Sequence, residues 1–315
     1  MTAVAERPRV ALRFDALTTD ETVRALGTDV RLIAKGLHAR MAVARARAGI
    51  LEYHQRLSRF LPSSELSALN ADPRPVVPAS TLLRGAVRAG LWAARHSDGL
   101  VDPCLLDALE SAGYERSFNE PAATLPPPSG PCRSAAADPA SRWREVCVDE
   151  EAGTIARPPG LRLDLGGSGK GHAADLVARH FAALREWVVD CGGDIRVGGA
   201  REIDVAHPLR SGPAARLRVV GGAVATSSVV ARAWLARDGR RSHHLLDPST
   251  GEPAWTGLLS ATALASTTLH AETLAKIALL RGADGAREVL APRGGLVVHA
   301  CGEVQAIGPL PLSAR

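Results

Sequence analysis

Aromatic side chains are scarce in this chain: Phe, Trp and Tyr make up 3% of 315 residues, and methionine occurs twice. Single-stranded nucleic acid is held by stacking bases on aromatic rings along a basic groove. Here the formal charge is only +5, with arginine spread along the chain rather than clustered, so nucleic acid is not the expected partner. Cysteine is sparse too. Cys104, Cys132, Cys147, Cys191 and Cys301 are odd in number and include no C-x-x-C pair, which argues for reduced thiols and against a disulfide framework or a cysteine zinc site. No apolar run is long enough to cross a bilayer, and the N-terminal stretch has no h-region of a signal peptide. The expectation is a cytoplasmic protein that is not transmembrane.

What is present is a globular composition, 46% hydrophobic and 23% charged, enough for one large or two modest domains. Residues 1–20 read as a flexible N-terminus and 21–315 as a single domain. Residues 25–34 read as a turn entering a strand, and 38–59 as an amphipathic helix. Ser63-Ser64-Glu65 is suited to cap a short helix, and 81–97 forms another, closed by Asp98-Gly99. Residues 119–141, rich in Pro, Ala and Ser, read as a mobile surface excursion. Beyond it, short strands at 187–189, 195–197, 217–220 and 296–300 alternate with glycine turns, and helices begin near His172 and His270. VVDCGGDIRVGG and LRVVGGAVATS read as antiparallel hairpins. The fold class is α+β.

Chemistry concentrates in four stretches. LRLDLGGSGKGHAADL, residues 161–176, reads as a strand, a glycine loop and a helix start. It resembles a P-loop, but Asp164 stands where the first glycine belongs and Gly171 where the Mg²⁺-binding hydroxyl belongs. Two readings stay open: a phosphate cradle at a helix N-terminus, with Lys170 adding charge, or a turn packing strand against helix. Asp190 and Asp194 flank Gly192-Gly193, either as a plain hairpin or as carboxylates for a ligand's polar edge. Thr226-Ser227-Ser228 and the pair His243-His244, before Asp247-Pro248-Ser249-Thr250-Gly251, complete the set. Adjacent histidines on a strand point to opposite faces, so only one can serve a site, as a base or phosphate ligand.

Taken in order, these stretches resemble the ApbE family of flavin transferases. The resemblance rests on RALGTDVRL (24–32), LSRFLPSSELSALNA (57–71), SDGLVDPCLLDALESAGY (97–114), DLGGSGKGHAAD (164–175), DCGGDIRVGG (190–199), ATSS (225–228) and HHLLDPSTGEP (243–253). It implies a T-fold-related α+β protein built on antiparallel sheet with packed helices and an FAD cleft between two lobes. The implied activity moves FMN from FAD onto a threonine or serine of an acceptor protein carrying a flavinylation motif, releasing AMP. Flavin binding without transfer, and Mg²⁺-dependent hydrolysis of FAD to FMN and AMP, are the alternatives. By position, Leu26 and Phe60 line the flavin pocket, Leu100, Val101 and Asp102 meet the adenosine end, and Gly166, His172, Leu245 and Leu246 touch the cofactor. His244 is the implied base, with Thr226, Ser227 and Lys170 positioning phosphate.

The resemblance also implies Mg²⁺, held by the Gly169 carbonyl and by side chains in a segment that here reads Ala271-Glu272-Thr273-Leu274-Ala275-Lys276. Glu272 can still ligate a metal. Lys276, in place of a threonine, cannot, and it lies at i,i+4 from Glu272. Three outcomes are open. Lys276 takes over part of the metal's charge, or it forms a structural ion pair in a protein that only binds flavin, or it points to solvent while Mg²⁺ binds through Glu272 and water.

Overall fold

The structure, a computed structural model, describes residues 17–116, 131–236 and 239–313. In chain order, strands β1 (Thr18–Ala25) and β2 (Thr28–Lys35) precede α1 (Ala39–Leu57) and α2 (Glu65–Ala71). Then come β3 (Val76–Pro78), α3 (Thr81–His96), α4 (Leu106–Ser111), β4 (Cys147–Asp149) and β5 (Thr154–Ala156). Helix α5 (Gly169–Ala178) leads into β6 (Glu186–Cys191), β7 (Asp194–Ala206) and β8 (Pro213–Ser228). The chain closes with β9 (Ala233–Leu235), β10 (Arg241–His243), β11 (Leu258–Ala265), α6 (Thr268–Leu290, broken at Gly282), β12 (Gly295–His299) and β13 (Val304–Ile307).

Eight strands form one antiparallel sheet in the order β1-β2-β6-β7-β8-β11-β12-β13; β3-β5-β4 and β9-β10 are small separate sheets. Strict alternation gives the sheet two apolar faces. Val30, Leu32, Val189 and Cys191 point into a core shared with α1, α3 and α5. Ile33, Val188, Ile195, Val224 and Leu296 point to the other face. There they meet Ile203, Val205, Leu217 and Val219 from the outer half of the long β7–β8 ribbon.

That ribbon corrects one expected hairpin. LRVVGGAVATS is not a turn but the middle of β8, where Gly221 stands opposite both Gly198 and Gly199 in a bulge between the pairs Val197↔Gly222 and Ala200↔Val220. A two-against-one bulge bends a strand without ending it. VVDCGGDIRV is the expected hairpin, turning at Gly192-Gly193. The expected turn before β2 is itself a hairpin whose first strand, β1, begins at Thr18, inside the segment expected to be flexible. Residues 1–16 lie outside the described residues. So do 117–130, which include 119–130 of the expected surface excursion, but 131–141 are fastened rather than loose: Arg133 N–H donates to Trp255 O and Ala135 N–H to Leu280 O, both at 2.8 Å.

Candidate active site

The glycine loop differs from its sequence reading at both ends. LRLDL, expected as a strand, pairs with no strand among the described residues. The Asn70 side chain takes the place of a neighbour, its Nδ2 donating to Leu163 O (2.9 Å) and its Oδ1 accepting from Leu163 N–H (2.8 Å). Asp164 accepts from Gly166 N–H at 2.7 Å and pairs with Arg59 at 2.5 Å. Helix α5 then starts at Gly169, three residues before the expected point.

The start of each of α5 and α6 is capped by a carboxylate from the other helix. Asp175 of α5 accepts from the backbone N–H groups of Thr268 and Leu269, both at 2.9 Å, and Glu272 of α6 accepts from Gly171 N–H at 2.9 Å. Free N–H groups at a helix start favour a carboxylate, so each helix supplies the other's. The approach needs glycine at 171: a Cβ there would lie 2.8 Å from Leu269 backbone atoms and from Glu272 Oε2. The role of Asp175 was not read from the sequence, because its partners lie 93 residues and more away.

Around this junction four charges meet, three of them buried and the fourth, Lys170, partly exposed. Lys170 turns inward to pair with Asp194, at the start of β7, and lies 3.6 Å from Glu272 Oε1. Lys276 Nζ reaches the same Oε1 at 2.9 Å. Asp194 and Glu272 are each 1% exposed and Lys276 7%, so the solvent-facing option for Lys276 is ruled out. Burial disfavours the Lys170 ammonium, but Asp194 and Glu272 outweigh it and keep the group charged. Burial likewise opposes ionisation of Glu272, and there Lys276 and Lys170 prevail and lower its pKa. Asp194 goes the other way: burial pushes its carboxyl up to about 6, and its Oδ1 has no hydrogen-bond partner. Asp190, accepting from Gly193 N–H at 2.8 Å, is also pushed up to about 6, chiefly by burial.

This donor set does not fit Mg²⁺. The ion requires a near-octahedral shell of oxygens. Glu272 has one oxygen engaged by Gly171 and the other by two ammoniums, which leaves Asp194 Oδ1 as the open carboxylate oxygen of the cluster. No group of three or more His, Cys, Asp or Glu residues able to hold a metal occurs among the described residues. The Mg²⁺ expected at Gly169 and Glu272 is therefore not carried forward.

Of the histidine pair, His243 closes on its own loop, Nδ1 accepting from Leu245 N–H at 3.3 Å, and burial drops its pKa to about 4. Arg241 is the cation that acts on His243, whereas His244 is the one near the lysine pair. Burial holds it neutral, well below the usual histidine value, and the cations Arg232, Lys276 and Lys170 add to the effect. Its ring stands edge-on to Tyr114, with centroids 6.4 Å apart, and Arg232 Nη1 reaches the Tyr114 hydroxyl at 3.4 Å. No motif marked Arg232. Thr226, whose N–H donates to Gly193 O (3.2 Å), shares a 2.9 Å hydrogen bond with Thr262.

Residues 26–300 match the sequence profile of the ApbE family. The chain belongs to the ApbE family. An FAD:protein FMN transferase of Treponema pallidum is 30% identical over 256 residues, covering 72% of this chain and 67% of that protein. One from Klebsiella pneumoniae is 31% identical over 137 residues, 42% of this chain and 43% of that protein, so that match spans less than half the relative's length. Among solved structures, the ApbE protein of Thermotoga maritima superposes with TM-score 0.77 at 24% identity, over 92% of this chain and 97% of that one. The apo flavinyl transferase ApbE of Pseudomonas stutzeri gives TM-score 0.72 at 21% identity, over 92% and 94%. At these identities the structures establish the shared fold.

The remaining ApbE-like positions fall into separate groups. Phe60 and Leu246 share an aromatic cluster with Tyr114 and Trp234, Arg59 lying 4.1 Å above the Phe60 ring. Val101 packs beside Gly167, and Asp102 Oδ1 accepts from Cys104 N–H at 2.7 Å. Leu26 forms the tip of the β1–β2 hairpin, its N–H donating to His54 Nδ1 at 3.3 Å. Leu100 and Leu245 are core residues packed near α6. His172 is turned away from Lys170, to the Tyr53 hydroxyl at 3.1 Å and to Gly85 of α3, and packs between helices.

Proposed function

We propose that this protein is an FAD:protein FMN transferase, moving FMN from FAD to a threonine or serine hydroxyl of an acceptor protein and releasing AMP. The observation that carries the reading is the family match over residues 26–300, in a chain whose half-buried His244 is held neutral by burial and by the charges of Arg232, Lys276 and Lys170. Transfer of this kind needs a base for a weak nucleophile and positive charge for the phosphates. The acceptor oxygen attacks the FMN-side phosphorus, its proton passes to the His244 imidazole, and the bond to the AMP phosphate breaks with its electron pair leaving on AMP. A neutral imidazole has its lone pair free for that proton, and the negative pyrophosphate of the substrate offsets the cations that oppose protonation of His244. Lys170, Lys276 and Arg232 offset the charge that builds on the phosphate oxygens.

In this reading FAD lies in a cleft, with Leu26, Phe60 and Leu246 toward the flavin. Val101, Asp102 and the 166–169 loop lie toward the adenosine end and the pyrophosphate, and Thr226 supports the phosphate site from β8. The test is AMP release from FAD by the purified protein, with and without an acceptor domain carrying a flavinylation motif. AMP formed only with acceptor is the expected result. AMP formed equally without it would assign hydrolysis, and FAD left intact in both would leave a flavin binder.

A further inference from the structure

Two carboxylates and two ammoniums meet in the interior between α5, β7 and α6: Asp194 and Glu272, Lys170 and Lys276. Asp190 and Arg232 also act on Lys170, and the three carboxylates and three cations sum to zero. A divalent cation added to this group leaves an excess of two positive charges, unless an ammonium withdraws into apolar surroundings and is left there without a carboxylate partner. Lys276 has little freedom to withdraw. Its Nζ is anchored 2.9 Å from Glu272 Oε1 on its own helix, and Ala275 and Ala278 beside it are fully buried. Glu272 cannot swing to follow a metal either, since Gly171 N–H holds its second oxygen.

We infer that the Lys276 ammonium is the resident cation of this site, and that flavin transfer here needs no divalent metal. The charge a metal would present to a pyrophosphate is carried by a covalently attached group, with Lys170 beside it. The statement about metal binding stands on the geometry alone; the statement about turnover rests also on the transferase reading above.

Two measurements test it separately. In the first, FAD-free wild-type protein is titrated with Mn²⁺ and free Mn²⁺ is followed by electron paramagnetic resonance. The expected result is no stoichiometric loss of the free-ion signal, and Lys276→Thr is expected to gain a site. Uptake of about one Mn²⁺ per wild-type chain would overturn the inference, whether or not any variant folds. In the second, AMP release with acceptor is compared in EDTA and in Mg²⁺. Wild-type rates are expected to agree within about twofold, whereas Lys276→Thr falls about tenfold or more in EDTA and recovers with Mg²⁺. Wild-type turnover abolished by EDTA and restored by Mg²⁺ would overturn it equally. If no condition releases AMP, the transferase reading fails and the Mn²⁺ titration still decides the cation.

Discussion

Lys276 Nζ lies 2.9 Å from Glu272 Oε1, one turn apart on α6 and both out of solvent. An exposed pair at this spacing stabilises a helix by a few tenths of a kcal/mol. Burial changes its meaning, because neither partner can be removed without stranding the other. Glu272→Gln leaves two ammoniums facing Asp194 alone and is expected to cost about 3–5 kcal/mol of unfolding free energy. The double variant Glu272→Gln/Lys276→Met, which removes both charges, is expected to recover most of that loss. Urea unfolding of the two proteins measures the difference; equal losses would mean that the charges are not coupled.

Gly171 and Gly85 make a contrasting pair. A Cβ at 171 would meet Leu269 backbone atoms at 2.8 Å, whereas at 85 the nearest atom is a His172 carbon at 3.8 Å. Gly171→Ala is therefore expected to push α5 off α6 and destabilise by about 2 kcal/mol or more. Gly85→Ala, inside α3, is expected to stabilise by about 0.5–1 kcal/mol. Thermal unfolding reports both.

The tip of the first hairpin carries strain where the flavin is proposed to bind. Leu26 and Gly27 have φ of 55° and 67°, the turn that Asn-Gly fits best. Leu26→Asn is expected to hold or raise stability, by up to about 1 kcal/mol, while weakening FAD binding as the apolar contact is lost. Fluorescence titration of FAD beside thermal unfolding separates the two effects. Unchanged affinity would remove Leu26 from the flavin pocket.

His244→Gln is expected to slow AMP release by about 10²–10⁴-fold with FAD affinity little changed, the pattern of a lost general base. A variant that loses FAD affinity in proportion to rate would make His244 a binding residue instead.

Asp190 sets a pH dependence. Burial raises its folded pKa to about 6 from 3.8, so the folded protein binds the extra proton between those values and loses stability as pH rises through them. Asp190→Asn is expected to exceed wild type by up to about 3 kcal/mol above pH 6, with the gain vanishing below about pH 4. Urea unfolding at pH 7.5 and at the lowest pH where both proteins fold checks the sign.

Much of this was legible in the chain itself, wherever the controlling interaction is short-range. Helical periodicity placed α1 and α3 to within two residues at each end, because the apolar stripe and the caps lie inside the segment. Gly192-Gly193 between apolar strands announced the β6–β7 hairpin, and the ordered motifs pointed to the family that the comparisons establish. The i,i+4 spacing of Glu272 and Lys276 predicted that they could pair.

Tertiary structure decided what that pairing means. LRLDL has the composition of a strand, but the Asn70 amide, 93 residues away, takes the hydrogen bonds a neighbouring strand would make. VVGGAV has the composition of a turn, but β7 beside it carries its own Gly198-Gly199 and converts the glycines into a bulge. Lys170 looks from its neighbours like a phosphate-binding lysine; Asp194 and Glu272, brought from two other elements, draw it inward. A side chain's charge and reach are written at its own position. Whether that charge meets water, a carboxylate or a second ammonium depends on partners distant in sequence, which no local pattern encodes.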